Sequence, residues 1–156
     1  METELALPGV VAKTLVTHLD TRGFFREIVR RGDPFFGEGF GQLSHAKMWP
    51  GVVKAWHLHA RQVDWWYCPV GSLQVALWDR RTGQPTYGRV IELALGEDDP
   101  DTVLRIPPGV AHGCKAIGDA PALLFYITSR EYDPSDEGRL PYAAGPYDWL
   151  APPPIR

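Results

Sequence analysis

The stretch GVVKAWHLHARQVDWWYCPVGSLQVALW, Gly51 to Trp78, decides the fold. It holds three short runs rich in Val, Trp, Tyr and Leu, separated by polar or turn-forming residues at 60–62 and 69–71. Short β-branched and aromatic runs bounded in this way read as strands. In the last run Leu73, Val75 and Leu77 share one face while Gln74, Ala76 and Trp78 share the other, because successive side chains on a strand point to opposite sides. Working outward, the same punctuation predicts strands at Val10–Thr17, Phe24–Arg30, Gly41–Lys47, Val52–His59, Val63–Cys68, Ser72–Trp78, Gly88–Leu95, Thr102–Ile106, Ala111–Ile117 and Ala122–Thr128. The connections DRRTGQP, GDAP and IPPG carry residues that preset a turn or accept positive φ. No long stretch has helical periodicity. An all-β, antiparallel β-barrel or jelly roll follows, with its core between about residues 10 and 130 and an irregular segment over 131–156. The ending APPPIR reads as an extended tail along the surface or along a partner subunit.

The totals set the outer limits. A chain of 156 residues fits one domain that buries roughly two-thirds of its unfolded surface and needs no staples. Net charge is -3 and the basic residues do not cluster, which leaves no footprint for nucleic acid or an anionic membrane. Cys68 and Cys114 have no paired or zinc-finger spacing and read as small core residues in a reducing compartment. METELALPGVVAK carries acid where a signal peptide needs base, and no apolar run approaches the 18 or so residues needed to span a bilayer. The expected location is the cytoplasm.

His57 and His59 lie two apart on a predicted strand, so both project from one face while Trp56 and Leu58 project from the other. Asp64 follows on the next strand, and PPGVAH brings His112 after a Pro-Gly turn. If these segments are neighbours, His57, His59, Asp64 and His112 meet at one point, and such a set suits Fe, Mn, Zn, Ni or Co with positions left open for substrate. The plainer reading stands beside it: inward polar residues of a barrel that hydrogen-bond one another. The spacing Gly51, five residues, His57-x-His59, four residues, Asp64, six residues, Gly71 resembles the first cupin motif, with Asp where cupins usually have Glu. PPGVAH resembles the core of the second motif, without its leading Gly and trailing Asn.

A longer resemblance runs from about residue 20 to 149. DTRGFFRE, DRRTGQPTYG, IPPGVAHG and LFYITSREYDPSDEG are similar, in that order, to four segments of the dTDP-4-dehydrorhamnose 3,5-epimerase family, itself built on the cupin jelly roll. The resemblance implies a nucleotide-linked 4-keto-6-deoxyhexose as substrate, a homodimer, and no required cofactor. Arg22, Phe25 and Glu27 fall on positions that grip the nucleotide, often across the dimer interface, and Gln42 falls on a sugar- or phosphate-contacting position. His57 aligns with the base that removes a proton beside the ketone, Tyr126 with the acid that returns one, and His112 with a pocket histidine. The family's Asp that orients the base has no match in the short C-terminus; Asp79 matches another family position and could orient a catalytic imidazole, although an Asp that starts a turn usually satisfies local backbone donors.

Two departures matter. The lysine that stabilises the enolate is replaced by Asp64, and the family's Arg-Gly-Leu-His-x-Gln reads Lys54-Ala55-Trp56-His57-Leu58-His59 here. Both Gln-to-His59 and Lys-to-Asp64 add metal ligands, so one divalent cation acting as Lewis acid is the economical substitute. A ligated His57, however, has no lone pair left to take a proton. If His57 is ligated, Tyr126, His45 and Lys54 are the candidate bases, and Lys54 is also a candidate substrate contact. On a regular strand, though, Lys54 points away from His57 and reaches the pocket only through a bulge, so a solvated lysine is the plainer reading. Three functions follow: a nucleotide-sugar epimerase or isomerase with altered chemistry, a metal-dependent cupin such as a dioxygenase or isomerase on another small molecule, and a non-catalytic sugar-binding cupin.

Overall fold

In a computed structural model that describes residues 1–97 and 101–151, the chain forms thirteen strands and no α-helix among the described residues. They are β1 Glu2–Glu4, β2 Val11–Thr14, β3 Thr17–Asp20, β4 Gly23–Arg26, β5 Gln42–Met48, β6 Val53–Leu58, β7 Asp64–Val70, β8 Ser72–Asp79, β9 Val90–Gly96, β10 Thr102–Ile106, β11 Val110–Ile117, β12 Ala122–Thr128 and β13 Gly138–Arg139, with one 3-10 turn at Pro34–Phe36. Six of them make a sheet in the order β1-β2-β10-β7-β12-β5, and five make a facing sheet in the order β13-β6-β11-β8-β9. The pairings are antiparallel, and β3 and β4 form a separate hairpin. This is the jelly roll expected from the sequence. No helix among the described residues is long and apolar enough to cross a membrane.

The period-2 pattern explains the layers. Leu73, Val75 and Leu77 of β8 face Cys68, Leu104, Ile106 and Leu124 of the other sheet and make the central core. Their neighbours Ala76 and Trp78 point outward, where Trp56, Ala111 and Trp149 join them in a second cluster. On the opposite outer face Trp65 and Val103 pack beneath Phe35 and Phe36. The adjacent tryptophans Trp65 and Trp66 therefore separate, the first to the outer cluster and the second inward.

Several boundaries differ from expectation. The run predicted at Val10–Thr17 divides, because Leu15 turns into the core at 8% exposure and a new strand begins at Thr17. The strand predicted at Phe24–Arg30 stops at Arg26. Two short strands, β1 and β13, carry too few residues to show alternation. Burial also passes beyond 10–130: Leu7 is fully buried and Trp149 is 2% exposed. The segment after Tyr132 is irregular but docked, since Ala144 O accepts the Trp56 indole N–H at 2.9 Å and Trp149 O accepts from Lys115 Nζ at 2.9 Å. Large buried rings supply that docking with apolar area. Of the APPPIR ending, residues 152–156 lie outside the described residues.

Candidate active site

A cavity of about 360 Å³ opens between the two sheets. Inward-facing positions of five strands line it: Gln42 of β5, His57 of β6, Asp64 and Trp66 of β7, His112 of β11 and Tyr126 of β12. Register brings them together. His57 pairs directly with His112 across β6 and β11, while Tyr126 sits opposite Trp66 across β12 and β7. His59 follows the end of β6, and its carbonyl accepts the Gly109 N–H at 2.8 Å. Gly109 holds φ at +80°, and a Cβ there would sit 2.5 Å from Arg81 Cγ, so the turn that leads into His112 requires glycine.

Lys54 is a correction. Two steps along β11, from His112 to Cys114, match three along β6, from His57 to Lys54. The extra residue is a bulge, and it sends both Ala55 and Trp56 to the outer cluster. Lys54 and His57 then face the same way, and both line the cavity.

The imidazoles are held in distinct ways. His112 is 3% exposed, its Nδ1 lies 3.0 Å from Val110 O, and its Nε2 is 3.6 Å from Asp64 Oδ2. His59 Nδ1 lies 3.0 Å from Asp136 O. Asp136 is itself buried, and its carboxylate accepts the backbone N–H groups of Ala60, Arg61 and Gln62, which fixes the loop carrying His59. His57 faces a different partner, with Nδ1 4.0 Å from Glu137 Oε1. Burial lowers the His57 pKa, with Arg139 adding to the effect and Glu137 opposing it. Burial also pushes His112 well down, against the pull of Asp64. Both rings are therefore unprotonated at neutral pH and present lone pairs.

The predicted metal set comes together only in part. Ligand atoms of His59, Asp64 and His112 lie within 4.8 Å of one another, and His57 is not in that group. Asp64 Oδ1 accepts the Gln62 amide at 2.7 Å and Oδ2 the Trp66 indole at 3.3 Å.

Four predicted residues stand elsewhere. Asp79 does not line the cavity: its carboxylate accepts Arg81 Nε at 2.8 Å, Arg81 Nη2 at 2.7 Å and Thr86 Oγ1 at 2.5 Å, so it braces the turn after β8 instead of orienting an imidazole. Arg22 pairs with Asp20 and Glu27 with Arg30, and Phe25 is 62% exposed on the β3–β4 hairpin. None of these three reaches the chain's own cavity. In their place the wall includes Tyr132, Asp133, Glu137 and Arg139, which sequence reasoning did not single out. Their only signal was the density of carboxylates in EYDPSDEG. Glu137 accepts from Tyr132 Oη at 3.0 Å and from Arg139 Nη2 at 2.6 Å, and these contacts hold its pKa below the usual range. Cys114 also lines the wall, but burial raises its thiol to about 12, which leaves it no nucleophile.

A jelly-roll barrel whose cavity is lined by imidazoles, a phenol and basic side chains has groups suited to proton transfer. The chain belongs to the dTDP-4-dehydrorhamnose 3,5-epimerase family, which matches residues 4–146. It is 44% identical over 138 residues to the spore coat polysaccharide biosynthesis protein SpsL of Bacillus subtilis, covering 87% of this chain and 90% of that protein. To the dTDP-4-dehydrorhamnose 3,5-epimerase of Mycobacterium tuberculosis it is 32% identical over 141 residues, covering 86% and 69%. The crystal structure of a dTDP sugar isomerase from Desulfovibrio desulfuricans superposes with a TM-score of 0.88 at 32% identity, covering 94% of each chain. The chain is thus a nucleotide-sugar epimerase, an isomerase, and the family favours this reading over the other two.

Proposed function

We propose that this enzyme epimerises a dTDP-linked 4-keto-6-deoxyhexose, with His57 as base and Tyr126 as acid. One observation carries it: His57 and Tyr126 line a single cavity in a chain of this family. A neutral imidazole is basic enough to take the acidic proton beside a ketone, and a phenol can return one from the other side. Gln42, Lys54 and His112 line the same wall and are suited to hold sugar and phosphate oxygens. Moving a proton changes no oxidation state, so the reaction calls for no redox cofactor. It does call for a positive partner at the enolate oxygen. Lys54 is one source of that charge, and a divalent cation at His59, Asp64 and His112 is the other.

The nucleotide end is supplied by a homodimer. The β3–β4 hairpin carries Arg22 and Phe25 away from their own cavity, and Leu19, Phe24, Phe25 and Phe40 are each more than 60% exposed. Exposed rings grouped on a hairpin support an interface. Arg22, Phe25 and Glu27 of one protomer then close the partner's cavity. Two buried free thiols fit a reducing compartment, the cytoplasm.

The test is isotope uptake. In heavy water, dTDP-4-keto-6-deoxyglucose should gain deuterium at C3 or C5, and His57→Ala or Tyr126→Phe should slow this sharply; unchanged rates would overturn the assignment. Mixing inactive His57→Asn with inactive Arg22→Ala should restore part of the activity, because hybrid dimers contain one intact site. No recovery would place the nucleotide grip within one chain.

A further inference from the structure

We infer that His59, Asp64 and His112 hold one divalent transition-metal cation, and that this cation is the positive partner of the enolate oxygen. A carbonyl oxygen only accepts, so the contacts from His59 Nδ1 to Asp136 O and from His112 Nδ1 to Val110 O, each 3.0 Å, put the ring proton of both histidines on Nδ1. In the neutral ring of that tautomer, Nε2 is the nitrogen that carries the lone pair. Asp64, buried between them, adds a carboxylate whose Oδ2 stands 3.6 Å from His112 Nε2. Ligand atoms of the three side chains lie within 4.8 Å of one another, and all three residues line the cavity. A cation set among them would be coordinated by two imidazoles and a carboxylate.

The supports around the three donors point the same way. Metal-bound histidines donate their other ring N–H to a carbonyl or carboxylate, which fixes tautomer and ring orientation, and both rings here do so. The Gln62 amide and the Trp66 indole hold the two Asp64 oxygens in place. Two imidazoles and one carboxylate are a donor set for Fe, Mn, Zn, Co or Ni, with further positions open to the cavity. His57 stands outside the set, with Nδ1 turned to Glu137, so holding a cation and taking a proton do not compete for one lone pair.

The catalytic half of the inference rests on the epimerase reading; the binding half stands without it. When the C–H bond beside the ketone breaks, its proton passes to His57. Its electron pair forms the C=C of an enolate, and the negative charge on the oxygen is met by the cation. As Tyr126 gives its proton to the same carbon from the opposite face, the carbonyl re-forms; His57 then releases its proton to solvent and Tyr126 regains one from it. No oxidant or reductant enters.

The experiment uses chelator-stripped protein titrated with Co²⁺ alone, read by visible absorption and calorimetry. One equivalent should bind, with the ligand-field bands of a nitrogen- and oxygen-coordinated ion. Asp64→Asn and His59→Ala should weaken binding by about tenfold to a hundredfold at the least, the loss that removing even a supporting partner causes, and His57→Asn should bind Co²⁺ as the wild type does. A natively folded wild type that takes up no Co²⁺, or an Asp64→Asn protein that binds it equally well, overturns the site. Deuterium uptake separates the rest. Loss of uptake on stripping and recovery with Co²⁺ supports the electrophile. Full uptake by stripped protein overturns the electrophile and leaves the epimerase standing, whereas no uptake in either form overturns the epimerase reading and its electrophile while the Co²⁺ site stands.

Discussion

Asp64 and Asp79 are both buried carboxylates on the inner faces of strands, and the fold answers their charges differently. Asp79, fully buried, is gripped by the Arg81 guanidinium on both oxygens, with Thr86 and the Arg81 backbone N–H adding to it. Asp64, 4% exposed, receives among the described residues the neutral donors Gln62 and Trp66, with His112 Nε2 3.6 Å away. Burying a charge is costly unless it is paired. Where the chain supplies the opposite charge itself, the carboxylate is structural. At the cavity the neighbours of Asp64 are neutral donors, which is the ground for the cation proposed there.

This contrast predicts opposite failures. The largest effect belongs to the cavity. His57→Asn should lower the isotope-exchange rate by about 10² to 10⁴-fold, the usual contribution of a general base, while leaving the melting temperature close to wild type. A variant that keeps its exchange rate would take the base role from His57.

The turn after β8 should fail in stability instead. Burial alone would raise the Asp79 carboxyl, but the hydrogen bonds from Arg81 and Thr86 overcome it and hold the group at about 2, against 3.8 when unperturbed. A folded-state pKa below the unfolded value stabilises the protein above the unfolded value, and the contribution is lost as pH falls through the folded one. The difference corresponds to about 2 kcal/mol. Asp79→Asn should therefore lower Tm by roughly 4–8 °C at neutral pH. The gap to wild type should narrow between pH 3.8 and about 2 and vanish below that. Exchange measured below the melting point should be retained. A loss of exchange without loss of Tm would return Asp79 to the catalytic machinery.

The sequence made the barrel legible because alternation is a local signal. The faces of β7, β8 and β12 follow from counting by twos, and so does the common direction of His57 and His59. Lys54 escaped that count because one extra residue in β6 shifts the alternation, and only the pairing with β11 reveals it. Asp136 and Glu137 escaped because they sit in an irregular segment that meets β6 across 77 or more positions, which no periodicity records. The role expected for Asp79 came from a motif position, but Arg81, two residues on, takes its carboxylate. Arg22, Phe25 and Glu27 do not line the chain's own cavity, so the motif that singled them out finds no counterpart within it.

The smallest effect bears hardest on the contrast. In metal-free protein, Asp64→Asn should melt within roughly 2 °C of wild type, because the substitution removes a buried carboxylate that no Lys or Arg among the described residues pairs with. The Gln62 amide and the Trp66 indole can still donate to the asparagine carbonyl oxygen, so the neighbours lose little. A fall as deep as that of Asp79→Asn would mean that the His112 imidazole carries a proton and pairs with Asp64 as Arg81 pairs with Asp79. The two carboxylates would then be the same kind of structural ion, and the three converging donors would need no cation between them.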